Sequence, residues 1–298
     1  MMRLASIYGD DLASSRLCLE RSGEYVAVED LATQAGVPSL RGLRDVGDLF
    51  ARGADVLAEL ATLDPGSVEP LPREATRLAP PVRWPSKIVC VGLNYAAHIE
   101  ESRISRPERI VLFSKYPSCL VGDGDDVILP MVTTQLDYEG ELALVIGRRA
   151  RGVSAAEALG YVGGFTIIND ISARDLQQAE PQWVRGKALD TFAPLGPVVV
   201  DSASAPEIGE MHIRTLVNGE VRQDASCGLM ITPVPELIEY ISRDITLEPG
   251  DLIATGTPAG VALGMEHPVY LADGDEVTVE IAGVGVLTSH IRAAADRR

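Results

Sequence analysis

Apolar residues occur in short blocks through most of this 298-residue chain, and the blocks are too short for long helices. Runs rich in Val and Ile that are bounded by Gly, Pro or Asp are typical of β-strands. The Asn218-Gly219 dipeptide predicts a type I′ hairpin turn, because both central residues of that turn need positive φ. The pattern predicts strands at KIVCVGL, RIVLFSK, ELALVIG, GFTIIN, GPVVV, HIRTLV, LIATG, EVTVEI and GVLTSHI.

Helical spacing of apolar residues is rarer. It predicts short helices near 155–161, 172–178 and 234–242, and Ser154 with Glu157 forms a capping box at the start of the first. Strands and helices do not alternate regularly, which argues against a TIM barrel or a doubly wound sheet. The pattern therefore predicts a β-rich α+β fold.

The first 63 residues have a different organisation. RLASIY, SRLCLE and YVAVED predict strands, and apolar spacing over 40–63 predicts helix that Arg52-Gly53 divides in two. A cluster of prolines follows, and proline fixes φ and removes a backbone donor. We predict a small N-terminal α/β domain at 1–63, a linker at 64–85 and the main domain at 86–298.

Charge and cysteine usage restrict the partners. The chain has 26 basic and 43 acidic residues, and its net charge of −17 disfavours binding to nucleic acid. Its four cysteines form no CxxC pair and are expected to be buried thiols in a reducing compartment. A signal-peptide core and an apolar run of ~20 residues are both missing, so we expect a cytoplasmic protein without a membrane partner.

Lysine is scarce, since Lys87, Lys115 and Lys187 are the only three and the other basic residues are arginines. A GC-rich genome explains the general loss of lysine. The survivors are nevertheless candidates for positions where arginine cannot replace a compact ammonium, such as a reaction centre.

Three carboxylates form a candidate metal site. Glu139 and Glu141 alternate at the start of an apolar strand and therefore point to the same side. Asp170 ends the buried-looking strand GFTIIN. Each could instead be a solvated charge, Asp170 as an anion at a helix N-terminus. As a set without histidine or cysteine they suit Mg²⁺ or Mn²⁺, with Ca²⁺ as a further candidate, and not Zn²⁺.

Other residues offer acid–base and oxyanion chemistry. His98 and Glu101 are three positions apart, so on a helical turn the carboxylate can hold the imidazole as a general base. Lys187, in an apolar Gly-flanked segment, could stabilise an oxyanion, or could simply pair with Asp190 at the surface. GxSxG, GxxxxGK[ST] and GxGxxG motifs are absent, which disfavours serine hydrolases, P-loop NTPases and Rossmann dehydrogenases.

In their order along the chain, these motifs resemble the fumarylacetoacetate hydrolase family from about Pro81 to Ile291. The matching segments are KIVCVGLNYAAHIEE, VLFSKYPSCLVG, DYEGELALVIGRRA, YVGGFTIINDISARDLQ, GKALDTFAPLGP, VNGE, LEPGDLIATGTPAGV and EVTVEIAGVGVL. The resemblance implies a rolled, mixed β-sheet (β-roll) core and a homodimer. It departs at Leu93, where some acylpyruvase-like members have arginine, and this leaves the mode of carboxylate recognition open.

The same resemblance implies roles for single residues. The metal ligands would be Glu139, Glu141 and Asp170, and the ion Mg²⁺ or Mn²⁺. His98 and Glu101 would activate water on a segment that closes over the substrate, and Lys187 would stabilise the oxyanion. Lys115, Gln177 and Thr257 match positions that line the substrate pocket.

The main functional expectation is metal-dependent hydrolysis of a carbon–carbon bond in a β-diketo acid, of the acylpyruvate, fumarylacetoacetate or diketo-sugar type. The alternative is a metal-dependent decarboxylase, isomerase or hydratase of a 2-oxo or 2-hydroxy-dienoic acid, of the oxaloacetate or 2-hydroxyhepta-2,4-diene-1,7-dioate type. A third reading is a non-enzymatic binder of a metal or an organic acid. The simultaneous presence of the dyad, the carboxylates and the lysine argues against it.

Overall fold

A computed structural model describes residues 1–72 and 76–295. Within these ranges most of the regular structure is β-strand. The strands are β1 (Arg3–Tyr8), β2 (Ser15–Arg21), β3 (Glu24–Ala27), β4 (Leu78–Ala79), β5 (Ile88–Gly92), β6 (Val111–Lys115), β7 (Leu120–Val121), β8 (Asp126–Leu129), β9 (Leu136–Asp137), β10 (Gly140–Ile146), β11 (Val162–Asn169), β12 (Ser172–Ala173), β13 (Ala193–Asp201), β14 (His212–Val217), β15 (Glu220–Ser226), β16 (Leu252–Ala254), β17 (Glu276–Ile281) and β18 (Gly285–Ala293).

The α-helices are short and are dispersed between the strands. They are α1 (Val28–Ala35), α2 (Val46–Ala51), α3 (Ala54–Thr62), α4 (Ala96–Glu101), α5 (Ala155–Ala158), α6 (Arg174–Ala179), α7 (Val184–Lys187) and α8 (Val234–Asp244). None of the helices in the described residues is long and apolar enough to cross a membrane.

A large mixed sheet forms the centre of the molecule. Its strand order is β3-β2-β1-β13-β11-β10-β16-β5-β6, with β4 paired to β1 and β7 paired to β13. Strand β10 is buried along its whole length because both faces of the sheet are covered. Leu142 and Leu144 pack into the core on one face, and Ala143 and Val145 pack into the core on the other.

Each face of the large sheet has its own cover. Helices α1, α2 and α3 contribute apolar side chains such as Leu31 and Phe50 to one core. The other face is covered by helix α8 and by a second sheet of order β15-β14-β17-β18-β8. Strands β14, β17 and β18 contact β10, β11 and β13, which gives the rolled arrangement expected from the resemblance. The predicted β-rich α+β fold is confirmed.

The N-terminal strands join the same large sheet. Strand β1 pairs with β13 through Arg3 and Leu4, so the sheet continues across the predicted linker. The division into 1–63, 64–85 and 86–298 stays a prediction, and its residues 73–75 and 296–298 lie outside the described ranges.

Local signals in the sequence were mostly correct. The Asn218-Gly219 turn has φ of 52° and 79° at its two residues, as a type I′ turn needs. The helical segment at 40–63 is interrupted at Arg52-Gly53, between α2 and α3. Two expectations were wrong. Ser154 and Glu157 do not form a capping box, because the Ser154 hydroxyl donates to Glu157 Oε2 at 2.6 Å and does not cap a backbone amide of helix α5. The strand predicted at YVAVED ends at Ala27. Helix α1 begins there and is favoured by acidic residues in its first turn.

Candidate active site

Three buried carboxylates lie together where the central strands β10 and β11 meet. Gly140 is paired with Asn169 in the antiparallel register, so Glu139 and Asp170 lie side by side just beyond the ladder. The amide of Asp170 donates to the carbonyl of Glu139 at 2.8 Å. One oxygen from each of Glu139, Glu141 and Asp170 lies within 4.8 Å of the others. The predicted carboxylate set is therefore assembled by strand register.

Lys187 and Arg174 are two of the buried cations that compensate this negative charge. Lys187 Nζ lies 2.7 Å from Glu139 Oε2 and 3.0 Å from Asp170 Oδ2. Arg174 Nη1 lies 2.6 Å from Glu139 Oε1, and Arg174 Nε lies 2.8 Å from Asp137 Oδ2. Both side chains are almost completely inaccessible to solvent. The surface pairing of Lys187 with Asp190 that was considered from the sequence is therefore not what the structure shows.

Lys115 lies behind the carboxylates and not on the wall of the cavity. Its Nζ donates to the backbone carbonyls of Ile171, Lys187 and Phe192. It also lies 2.7 Å from Asp170 Oδ1, as an ion pair. Since an ammonium has three N–H donors, the carbonyls take all of them. The geometry gives Lys115 a supporting position, whereas the resemblance implied contact with the substrate.

The carboxylates differ in their electrostatic surroundings. Burial on its own would raise the pKa of Glu139, but Lys187, Arg174 and His98 outweigh it and hold that pKa below the usual range. Burial raises the pKa of Glu141 well above its ordinary value, and repulsion from Asp170 and Glu139 adds to the effect. Glu141 is thus the carboxylate whose negative charge is least compensated by the protein.

This donor set fits a hard divalent cation. Three carboxylates that converge without a histidine or cysteine ligand match the oxygen preference of Mg²⁺, Mn²⁺ and Ca²⁺. The raised pKa of Glu141 is what a nearby cation would reverse. The choice between these metals stays a prediction.

His98 and Glu101 form the second chemical element of the site. Both lie on helix α4, and His98 Nδ1 is 2.8 Å from Glu101 Oε1. Glu101 Oε2 accepts a hydrogen bond from the amide of Gly260 at 2.8 Å. The carboxylate is therefore fixed at both oxygens, and Nε2 of His98 is the ring nitrogen left for another partner.

Thr257 is held by a residue that the sequence analysis did not single out. Its hydroxyl donates to the carbonyl of Gly140 at 3.0 Å and accepts from Gln223 Nε2 at 2.7 Å. Gln223 is completely buried, and its Oε1 accepts from the amide of Gly140 at 3.0 Å. One amide side chain thus links the turn at Thr257 to the strand that carries both glutamates.

A cavity of about 250 Å³ unites these groups. His98, Glu139, Glu141, Gln177, Lys187 and Thr257 line it, together with Arg174. Gln177 Oε1 accepts from Arg174 Nη1 at 3.0 Å. Arg174 Nη2 is buried without a hydrogen-bond partner among the described residues, so a donor remains for a bound anion.

Arg174, Asp137 and Gln223 are the site residues that sequence reasoning missed. Arg174 begins helix α6 and looks like an ordinary helical charge. Asp137 accepts from the amides of Ala262 and Leu263 as well as from Arg174. The only available signal was that Asp137 and Arg174 lie in the segments that carry the candidate metal ligands. Asp137 is in DYEGELALVIGRRA, and Arg174 is in YVGGFTIINDISARDLQ.

Comparison with known proteins follows the same boundaries as the motifs. Residues 87–292 match the family described as "Fumarylacetoacetate (FAA) hydrolase C-terminal". The chain belongs to the fumarylacetoacetate hydrolase family. The resemblance seen in the sequence is thereby confirmed over more than half of the chain.

Relatives within this family have named activities. The chain is 39% identical over 292 residues to "Oxaloacetate tautomerase FAHD2A, mitochondrial" of Bos taurus, covering 97% of this chain and 91% of that protein. It is 46% identical over 219 residues to "Oxaloacetate tautomerase YisK" of Bacillus subtilis (strain 168), covering 72% of this chain and 73% of that protein.

Solved structures of the family superpose over nearly the whole chain. "Fumarylacetoacetate hydrolase (EaFAH)" of Exiguobacterium antarcticum matches with a TM-score of 0.84 and 38% identity, covering 99% of this chain and 100% of that chain. A 2-hydroxyhepta-2,4-diene-1,7-dioate isomerase of Mycobacterium marinum matches with a TM-score of 0.76 and 34% identity, with the same coverage. This chain is therefore an enzyme of the fumarylacetoacetate hydrolase family acting on a small molecule, while the homodimer and the cytoplasmic location stay predictions.

Proposed function

We propose that this chain is a divalent-metal-dependent tautomerase or isomerase of 2-oxo acids, moving a proton between the oxo oxygen and the neighbouring carbon. The observation that carries the proposal is one cavity lined by Glu139, Glu141, Lys187 and His98. Asp170 completes the carboxylate set beside it, and Glu101 holds the imidazole. The names of the tautomerase and isomerase relatives support this reading more than the hydrolase expected from the sequence.

Glu139, Glu141 and Asp170 would hold the cation. When bound, the ion would supply a Lewis acid that makes the carbon next to the oxo group easier to deprotonate. Lys187 contributes a fixed positive charge beside the carboxylates, where the oxygen of the substrate becomes negative. Arg174 Nη2 offers an unpaired donor to the same region.

The proton carrier is His98. Its Nδ1 is bound to Glu101, so Nε2 takes the proton from carbon and returns it to oxygen. Such a transfer needs no water. The same imidazole could activate water for carbon–carbon hydrolysis, which remains the second candidate because a solved relative is named as a fumarylacetoacetate hydrolase.

Proton NMR in D₂O can separate these reactions. Purified enzyme with Mg²⁺ is given oxaloacetate in one tube and acetylpyruvate in another, and EDTA-treated enzyme is the control. We expect faster keto–enol conversion and exchange at C3 of oxaloacetate, and loss of both with EDTA. His98→Ala should lower the rate by about 10²- to 10³-fold, whereas the exposed His267→Ala should leave it unchanged.

Other products would replace the proposal. Metal-dependent acetate and pyruvate from acetylpyruvate, without faster tautomerisation, would establish hydrolysis. Metal-dependent pyruvate from oxaloacetate would establish decarboxylation. Full tautomerase activity in His98→Ala would show that another group carries the proton.

A further inference from the structure

The cavity has an apolar wall in addition to its charged carboxylate floor. Its apolar lining residues include Leu93, Ile104, Phe113 and Trp183. The two ring centroids are 5.4 Å apart at an interplanar angle of 64°, an edge-to-face pair. The wall is therefore a fixed aromatic surface within the same small cavity as the carboxylates.

The backbone makes room for the indole. A Cβ atom at Gly92 would lie 2.6 Å from Cζ3 of Trp183, too close for any side chain without movement of the ring. Gly92 lies in strand β5 and does not have a positive φ, so its conformation does not require glycine. The glycine is explained by the space that Trp183 occupies.

The segment that carries Trp183 is also packed closely. Gly186 in helix α7 lies against Gln177 of helix α6, where a Cβ would be 2.6 Å from the backbone nitrogen of Gln177. Helices α6 and α7 contact one another and thereby set the position of the Trp183 side chain. The aromatic wall is thus part of a packed unit and not a loose loop.

Charge is distributed unevenly over the cavity. The lysine and arginine that line it, Lys187 and Arg174, are both paired with carboxylates of the floor. Glu180, whose partner is Arg185 at 3.6 Å, brings negative charge to the same rim as Trp183. Arg106 and Arg109 line an adjoining cavity of about 150 Å³ that shares Val91, Gly92 and Leu93 with the main cavity. Lys187 Nζ lies 5.2 Å from the centroid of the Phe113 ring, and the unpaired Nη2 of Arg174 belongs to a guanidinium bound to Asp137 and Glu139 of the floor. Among the described residues, no lysine or arginine lies over the ring of Trp183, so this part of the wall is the part without a nearby cation.

From this arrangement we propose that the site prefers 2-oxo acids with an apolar, planar group at the far end over dicarboxylates such as oxaloacetate. The inference rests on the proposed function for the reacting end of the substrate and adds the class of its other end. An aromatic or alkenyl group would stack on Trp183 and Phe113, where burial of apolar surface is favourable. A second carboxylate beside Trp183 would lose water without gaining a cation as partner.

Turnover tests the preference directly. Rates of tautomerisation are compared for phenylpyruvate and oxaloacetate, which share the 2-oxo acid and differ at the far end. We expect kcat/KM to be at least about tenfold higher for phenylpyruvate, and Trp183→Ala to lower that value about tenfold while changing oxaloacetate less than twofold. Trp183→Phe should retain most of the preference.

Binding gives a readout that does not depend on turnover. Trp84 and Trp183 are the two tryptophans, so Trp84→Phe leaves Trp183 as the single reporter of indole fluorescence. Trp84 is partly exposed and lines another cavity, and its replacement should not alter activity. We expect the unreactive analogue 3-phenyllactate to change Trp183 emission and to bind at least about tenfold more tightly than malate.

The two measurements separate failure of this inference from failure of the proposed function. Tight 3-phenyllactate binding with no turnover of any 2-oxo acid would overturn the tautomerase and leave the specificity intact. Turnover that favours oxaloacetate, or equal losses for both substrates in Trp183→Ala, would overturn the specificity and leave the tautomerase intact. Equal affinity for malate and 3-phenyllactate would overturn the specificity as well.

Discussion

The carboxylate floor and the His98 side of the cavity are held in different ways. Lys187 Nζ reaches Glu139 and Asp170 across 48 and 17 positions of the chain, and all three are buried. His98 is held by Glu101, only three positions away on a six-residue helix. The floor depends on the whole fold and the dyad depends mainly on local geometry. Substitutions in the floor should therefore cost stability as well as rate, and substitutions in the dyad should cost mainly rate.

The largest effects are expected at the two buried lysines, Lys115 and Lys187, which both hold the carboxylate floor. Lys115→Met removes the partner of three buried carbonyls and of Asp170, so we expect a loss of about 3–5 kcal/mol in unfolding free energy. Lys187→Met should lower kcat by about 10²- to 10³-fold and should destabilise the protein less, because Lys187 lines the cavity.

Thermal denaturation and steady-state kinetics on both variants, with Mg²⁺ present, check the result. Each lysine is the control for the other, since both are buried and both touch Asp170. A Lys115→Met protein as stable as wild type would show that the three carbonyl contacts contribute little.

A substitution in the His98–Glu101 dyad should lower kcat without lowering the stability of the protein. Glu101→Gln keeps an oxygen for the amide of Gly260 but removes the negative charge beside His98. We expect kcat to fall by about 10²-fold and the melting temperature to stay within about 2 °C of wild type. The neighbouring Glu100 is exposed, and Glu100→Gln should change neither quantity. A melting temperature that falls together with the rate would mean that the dyad also supports the fold.

A smaller effect is expected when the Glu101 carboxylate is displaced but not replaced. A Cβ at Gly264 would lie 2.6 Å from the Cδ atom of Glu101, so Gly264→Ala should push this carboxylate without removing it. We expect kcat to fall by about three- to tenfold, which corresponds to about 1 kcal/mol in the barrier. Gly209 has open space around its Cβ position, and Gly209→Ala is the matched control. Equal rates in the two variants would show that the position of Glu101 is not critical.

Site residues could be predicted from the sequence where their partners lie only a few positions away. Glu139 and Glu141 could be placed because strand alternation puts both on one side, and His98 with Glu101 because helix periodicity does the same. The sequence could not predict partners brought from distant segments. Gln223 follows the Asn218-Gly219 turn and looks like a solvent-facing strand residue. It is nevertheless buried, and its side chain is hydrogen-bonded to Gly140, Thr257 and Pro258 from distant segments.

Lys115 is a residue that the sequence analysis did single out but whose contacts it could not predict. Its rarity predicted a position where arginine cannot replace an ammonium, but residue usage does not reveal which atoms surround it. The structure directs Nζ to carbonyls of Ile171, Lys187 and Phe192, three residues from separate turns of the chain. Such a role depends on tertiary packing, for which the local sequence carries no signal.

Gly140, between the two glutamates, has no room for a side chain. A Cβ there would collide with Thr215 Oγ1 and would lie 2.9 Å from Val279, and both residues belong to the second sheet. Gly140, which separates Glu139 from Glu141, therefore also lies where the large sheet packs against the second sheet. A partly unfolded chain that keeps the large sheet but has lost the second would have no intact site. Enzymatic activity thus reports whether the two sheets are docked, and we expect it to vanish at or before the loss of global structure during denaturation.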